Sequence, residues 1–167
     1  MLAAQAEAHP AVGLIGSEVF ENGIARLLTA IDEAGLSNIR LLTEDGRELL
    51  KKLPDRSLAR VFILFPDPWR KQRHHKRRLV STETLDELAR VMKDGSELRL
   101  ATDHIDYLRW MLERAPVHPA FEWLARRPDD WRVRTPDWPQ TRYERKAIAA
   151  GRRPHFLLLR RKPRIGV

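Results

Sequence analysis

The chain has 167 residues, enough for one domain and short for two. Its 31 Lys and Arg against 23 Asp and Glu give a formal charge of +8, and the lack of cysteine excludes disulfides, thiolate zinc sites and cysteine nucleophiles. A hydrophobic share of 43% argues against disorder, the apolar runs at 61–65 and 156–159 fall far short of the ~20 residues of a membrane helix, and residues 1–10 lack the basic start of a signal peptide. A soluble, cytoplasmic, basic domain is therefore expected.

In chain order, residues 11–18 (AVGLIGSE) read as a short buried strand ending in an acid. Residues 22–33 carry Ile24, Leu27, Leu28 and Ile31 at i, i+3, i+4 and i+7, and Gly35 is placed to stop the helix they predict. Residues 39–42 form a second apolar strand, followed by a brief helix over 47–52. The run RVFILF at 60–65 is continuously hydrophobic and predicts a fully buried strand of the central parallel kind. Leu85, Leu88, Ala89 and Met92 share one face of a helix over 82–93 that Asp94-Gly95 closes. A strand at 97–101, a helix at 105–114, a long loop at 128–140 with three prolines and two tryptophans, and a strand at 156–160 complete the reading; the last has room to lie antiparallel at or near an edge. Short strands alternating with helices mean right-handed βαβ units. The predicted fold is a three-layer αβα domain on a mostly parallel sheet.

Ligands of such sheets bind outside the carboxyl ends of the strands. Glu18 closes the first strand, and Asp45, Asp67 and Asp103 lie just past the second, third and fourth. Each alone serves equally as a helix cap, but four at corresponding ends predict convergence on one rim. The most specific string is Phe65-Pro66-Asp67-Pro68-Trp69, in which two prolines fix the carboxylate and the tryptophan offers a ring for a base to stack on. The run 70–78 (RKQRHHKRR) follows at once with six cations and no anion. Arg152, Arg153, Arg160, Arg161, Lys162 and Arg164 form a second group, and the remainder of the chain is mildly acidic. This asymmetry suits a polyanion, because neutralising phosphates releases condensed counterions. His74 and His75 stand in a cationic run with no carboxylate beside them, so no metal is expected.

These strings together, FPDPW with RKQRHHKRRL, then Ala101-Thr102-Asp103, then Thr141-Arg142-Tyr143-Glu144, resemble the bacterial tRNA (guanine-N7-)-methyltransferases of the TrmB type over residues 2–162. The resemblance implies a Rossmann-like class I fold, S-adenosyl-L-methionine (SAM) as methyl donor, and transfer to N7 of guanine 46 in the tRNA variable loop. It matches Glu18 to the acid on the SAM ribose, Asp45 to the acid on the adenine side, and Asp67 to the catalytic, cofactor-adjacent aspartate. Lys71 matches a substrate-binding lysine, and Arg73, His74, His75, Lys76, Arg77 and Arg78 match the RNA-contacting segment. Asp103, Thr141, Arg142, Tyr143 and Glu144 match positions that hold the target nucleotide.

One departure is plain: the family's first strand and its E-x-G-x-G-type SAM loop find no counterpart in these residues. Gly13 and Gly16 lie inside the next strand, and residues 2–9 resemble the tail of the helix that follows that loop. The chain is accordingly read as a single, N-terminally truncated methyltransferase domain over 1–167, with the two neighbours of a central strand left at open edges. Three functions stay open: the tRNA N7-guanine methyltransferase, an amino-group nucleic-acid methyltransferase (Asp67-Pro68-Trp69 is loosely similar to Asp-Pro-Pro-Tyr), and a tRNA-binding remnant defective in SAM binding. Monomer and homodimer are not distinguished.

Overall fold

A computed structural model describes residues 1–164. The chain divides into two compact units, one of residues 1–52 and 136–141, the other of residues 53–135 and 142 onward.

The first unit runs α1 (Leu2–Ala8), β1 (Leu14–Ser17), α2 (Glu21–Glu33), β2 (Ile39–Leu42) and α3 (Gly46–Lys52). β1 and β2 pair in parallel from Leu14 opposite Ile39 to Ser17 opposite Leu42, so the chain must cross over between them, and α2 is that crossover. Gly35 ends α2 at φ +59°, a conformation open to glycine at little cost. A side chain at Gly16 would run into Leu2, so the bare backbone there lets α1 lie on β1. Asn38 Nδ2 donates to the carbonyls of Ala6, His9 and Val12 and pins the end of α1 to the start of β2. Gln5 Nε2 donates to Asp137 O (3.1 Å), bringing the 136–141 segment to the same helix.

The second unit contains β3 (Leu58–Leu64), a 3-10 turn (Gln72–Arg77), α4 (Thr82–Val91), β4 (Met92–Thr102), α5 (Ile105–Leu112), β5 (Phe121–Trp123), α6 (Asp129–Arg132), α7 (Arg142–Ala149) and β6 (His155–Arg161). Its strands stand in the order β3-β4-β6-β5, with β3 and β4 parallel and β6 antiparallel to both neighbours. From Leu98 to Thr102 every residue of β4 is buried, the mark of a strand covered on both faces. Leu157 and Leu159 of β6, Leu85 and Leu88 of α4, and Tyr107, Leu108 and Met111 of α5 complete this core. Ser81 starts α4 by accepting a hydrogen bond from Thr84 N (3.3 Å).

Several expectations need correction. β3 is not fully buried: only Ile63 is, while Ala59 and Arg60 are exposed, because β3 stands at one end of its sheet. The helix expected over 82–93 stops at Val91, and Met92 already opens β4; its burial there mimics one more position of the helical stripe. The expected loop at 128–140 contains α6, and β5 and α7 were not anticipated. β6, by contrast, lies antiparallel and one strand in from the edge, in keeping with the place expected for it. Among the described residues β1 pairs only with β2 and β3 only with β4, so each stands at an end of its own sheet.

Candidate active site

In each unit two acids follow adjacent parallel strands at their carboxyl ends. Glu18 follows β1 directly and Asp45 lies three residues past β2; the ladder is extended by Glu18 N donating to Leu42 O (3.1 Å). In the second unit Asp67 lies three residues past β3 and Asp103 follows β4 directly, with Phe65 N donating to Ala101 O (2.7 Å). Each pair therefore occupies the rim where ligands of parallel sheets bind.

Glu18 Oε1 accepts from Phe20 N (2.9 Å). Its carboxylate rests above Gly23, where a Cβ would come within 3.2 Å of it, so the glycine is a cradle for this carboxylate. The second oxygen, Oε2, has no hydrogen-bond partner among the described residues and fits a ribose hydroxyl donor. Asp45 is more occupied: Arg47 N (2.9 Å) and Nε (3.0 Å) donate to Oδ1, and Arg47 Nη2 (2.6 Å) to Oδ2. Those bonds hold its carboxyl below the usual carboxylate range. No glycine-rich turn following a strand precedes β1 among the described residues, so the fit to SAM rests here on the acids at the rim.

Asp67 is exposed and makes no hydrogen bond or ion pair among the described residues. Its loop is nonetheless fixed, since Phe65 and Trp69 hold φ of +52° and +44° on either side of the Pro66-Asp67-Pro68 segment. Bulky residues in that region cost roughly 1–3 kcal/mol each and persist where surrounding structure overdetermines them. Trp69 is less open than its sequence position suggests: the Arg77 guanidinium sits 5.0 Å from its ring centroid and His74 meets it edge-on.

Arg70, Lys71, Arg73, Lys76 and Arg77 are exposed, and His74 and His75 half-buried. Arg78 departs from expectation. It is 1% exposed, its Nε donates to Pro68 O (2.8 Å), its Nη2 pairs with Asp106, and its guanidinium lies about 5 Å from the rings of Tyr107 and Trp110. Arg78 is thus tied into the protein interior, whereas Arg70, Lys71, Arg73, Lys76 and Arg77 of the expected RNA-contacting segment face solvent. No sequence signal separates it from its neighbours, beyond the spacing of Asp106, Tyr107 and Trp110 on one helix face.

The C-terminal cations divide likewise. Arg161 donates to Ala89 O, and Arg164 pairs with Asp94 and donates to the carbonyls of Ala89, Arg90 and Met92. Both therefore neutralise the carboxyl end of α4. Arg153, Arg160 and Lys162 remain exposed.

Asp103 is bridged to Arg152 (2.6 Å). Tyr143 and Arg142 are exposed on α7 and Thr141 half-buried before it, whereas Glu144 is buried and accepts from Arg134 Nε (3.2 Å). Glu144 lines a cavity of about 280 Å³ with Arg132, Arg134, Ile148, Arg153 and Phe156; of these, the sequence marked Glu144 as a site residue and Arg153 only as one of the C-terminal cations. Next to it His155 stacks on Trp131 with centroids 5.4 Å apart. Burial, then Arg153 and Arg132, push the His155 pKa down; burial, then Arg70, do the same for His104. Both histidines titrate higher in the unfolded chain, near about 6.5, so unfolding takes up protons as pH falls. Their stabilisation is complete above that value and is lost as pH drops through it toward the folded pKa. Urea unfolding at pH 7.5 and 5.5 is expected to show a lower free energy at 5.5, with a smaller difference in His155→Gln; an equal difference in the two proteins would refute this.

Among the described residues no group of three or more His, Asp or Glu is placed to hold a metal, and no helix is long and apolar enough to cross a membrane.

The family model described as "Putative methyltransferase" matches residues 1–157. A tRNA (guanine-N(7)-)-methyltransferase of Rhodospirillum rubrum is 55% identical over 163 residues, covering 98% of this chain and 64% of the relative; that of Paramagnetospirillum magneticum is 52% identical, covering 98% and 68%. The chain thus spans about two thirds of the length of the curated relatives it matches. Among solved structures, TrmN from Thermus thermophilus superposes with a TM-score of 0.62 at 18% identity over 95% of this chain and 40% of that one. The Streptococcus mutans protein SMU.1697c, solved in complex with SAH, gives 0.54 at 8% over 89% and 76%. The fold is that of the class I SAM-dependent methyltransferases, and the chain belongs to the tRNA (guanine-N7-)-methyltransferase family.

Proposed function

We propose that this chain transfers a methyl group from SAM to N7 of guanine in tRNA, at guanine 46 of the variable loop, as a single cytoplasmic methyltransferase domain. The observation that carries the reading is the rigid, solvent-facing Asp67 on the carboxyl rim of β3, immediately followed by exposed cations. Glu18 and Asp45 hold the cofactor's ribose and adenine sides. When bound, the cofactor supplies an electrophilic sulfonium methyl.

Guanine N7 carries an in-plane lone pair, so no proton has to leave and no general base is required. Accepting the cofactor's methyl would leave positive charge on the purine ring, and the Asp67 carboxylate would stabilise that charge as it develops. Carboxylates also accept from guanine N1–H and the exocyclic amine, the part given to Asp103 and Glu144, with Thr141, Arg142 and Tyr143 around them. Asp103 must exchange Arg152 for the nucleotide in that role. Lys71, Arg73, His74, His75, Lys76 and Arg77 hold the RNA backbone, and alignment of N7 with the methyl supplies most of the acceleration.

Incubating the chain with labelled SAM and unmodified tRNA tests this. Label is expected in N7-methylguanine, revealed by chain scission at that nucleotide in alkali. Label on an exocyclic amine would favour the amino-group methyltransferase. Binding of tRNA with no SAM binding by calorimetry would favour the remnant.

A further inference from the structure

Arg78 is the one buried cation of the 70–78 run, and the groups around it form a chain of contacts leading to the Asp67 loop. On one side Nε donates to Pro68 O, the carbonyl next to Asp67. On the other, α5 grips both Arg78 and the backbone just beyond it. Asp106 takes the ion pair, and Tyr107 and Trp110 flank the guanidinium. Tyr107 Oη accepts from Val80 N (3.1 Å), while Trp110 Nε1 donates to Val80 O (2.6 Å). His75 packs edge-on against Trp110 and lies 3.8 Å from Asp106. Asp67 itself has no such support, so its loop is fastened through its neighbours, Phe65 N on Ala101 O before it and Pro68 O on Arg78 after it.

We infer that Arg78 is a positioning residue: it braces the Asp67 loop against α5 and aims the Asp67 carboxylate, and it does not bind RNA. The inference rests on the assignment of Asp67 above, and it explains how two aromatic residues on that loop are kept at positive φ. Lysine cannot replace arginine here, because the contact needs a planar fork that donates in two directions while lying between rings.

The test compares Arg78→Lys, Asp106→Asn and Lys76→Ala with the parent chain by amide hydrogen exchange and by tRNA binding and methyl transfer at several salt concentrations. Arg78→Lys and Asp106→Asn are expected to speed exchange of the 65–71 amides at least about tenfold. In both, kcat is expected to fall, by about 100-fold in the first, as for a reacting group displaced by an ångström, while KM and the salt slope of tRNA binding stay as in the parent. Lys76→Ala is expected to lower the slope while leaving exchange at 65–71 as in the parent. A slope reduced by about one in Arg78→Lys, with exchange at 65–71 unchanged, would make Arg78 a phosphate ligand and overturn the inference. Should Arg78→Lys fail to fold, Asp106→Asn decides by the same readouts. Exchange needs neither RNA nor cofactor, so it reports even if the chain does not methylate guanine.

Discussion

Replacing Asp67 with Ala is expected to lower methyl transfer at saturating tRNA about a thousandfold while leaving tRNA affinity within about twofold of the parent. The expected loss is large because Asp67 is exposed and makes no hydrogen bond or ion pair among the described residues, whereas Asp103 is tied to Arg152 and Glu144 to Arg134. On the proposed assignment its removal would take negative charge away from the place where cationic charge develops on the purine. Binding is spared because the backbone grip lies on other side chains. Single-turnover transfer and filter binding separate the two effects. Lost binding with methylation intact in the bound fraction would remove Asp67 from the chemistry.

Changing Arg73, Lys76 and Arg77 together to Ala is expected to flatten the dependence of log K on log salt by about 0.7–0.9 for each phosphate no longer neutralised, and to weaken tRNA binding roughly 10- to 100-fold at low salt. The three are exposed along or beside one 3-10 turn, and Arg77 also covers a face of Trp69, so its loss frees that ring. Arg78 is left out of the set because its charge is already spent inside the protein. Titrations at low, intermediate and high salt check the result. An unchanged slope would show that the turn faces away from RNA.

The strands that were legible in the sequence were those whose apolar runs are uninterrupted: β2 was placed to the residue, and β3 and β6 within two residues at either end. β5 was not, since three residues, Phe121–Trp123, are too few to show alternation. The start of β4 at Met92 was hidden because Leu85, Leu88, Ala89 and Met92 continue a helical spacing that the backbone abandons at that point. The buried face of α7 was obscured by its charge, for Glu144 points inward on Arg134 and only Ala147 joins it in the core. At the rim, the position of the four acids relative to their own strands followed directly from where the apolar runs stop. What each carboxylate touches did not, because partners such as Arg152 for Asp103 lie 49 residues away along the chain. A run of like charges is the hardest case. Nothing in RKQRHHKRR distinguishes the arginine that faces inward, and the distinction is made by three side chains of α5.

The left-handed backbone at Phe65 and Trp69 has a consequence for anyone selecting sturdier variants of this chain. Glycine at either position would remove the torsional penalty, though it would also loosen the unfolded chain and give up the ring. A screen that rewards heat resistance alone will therefore drift toward mutations that relax the turn, and those are the ones that blunt turnover.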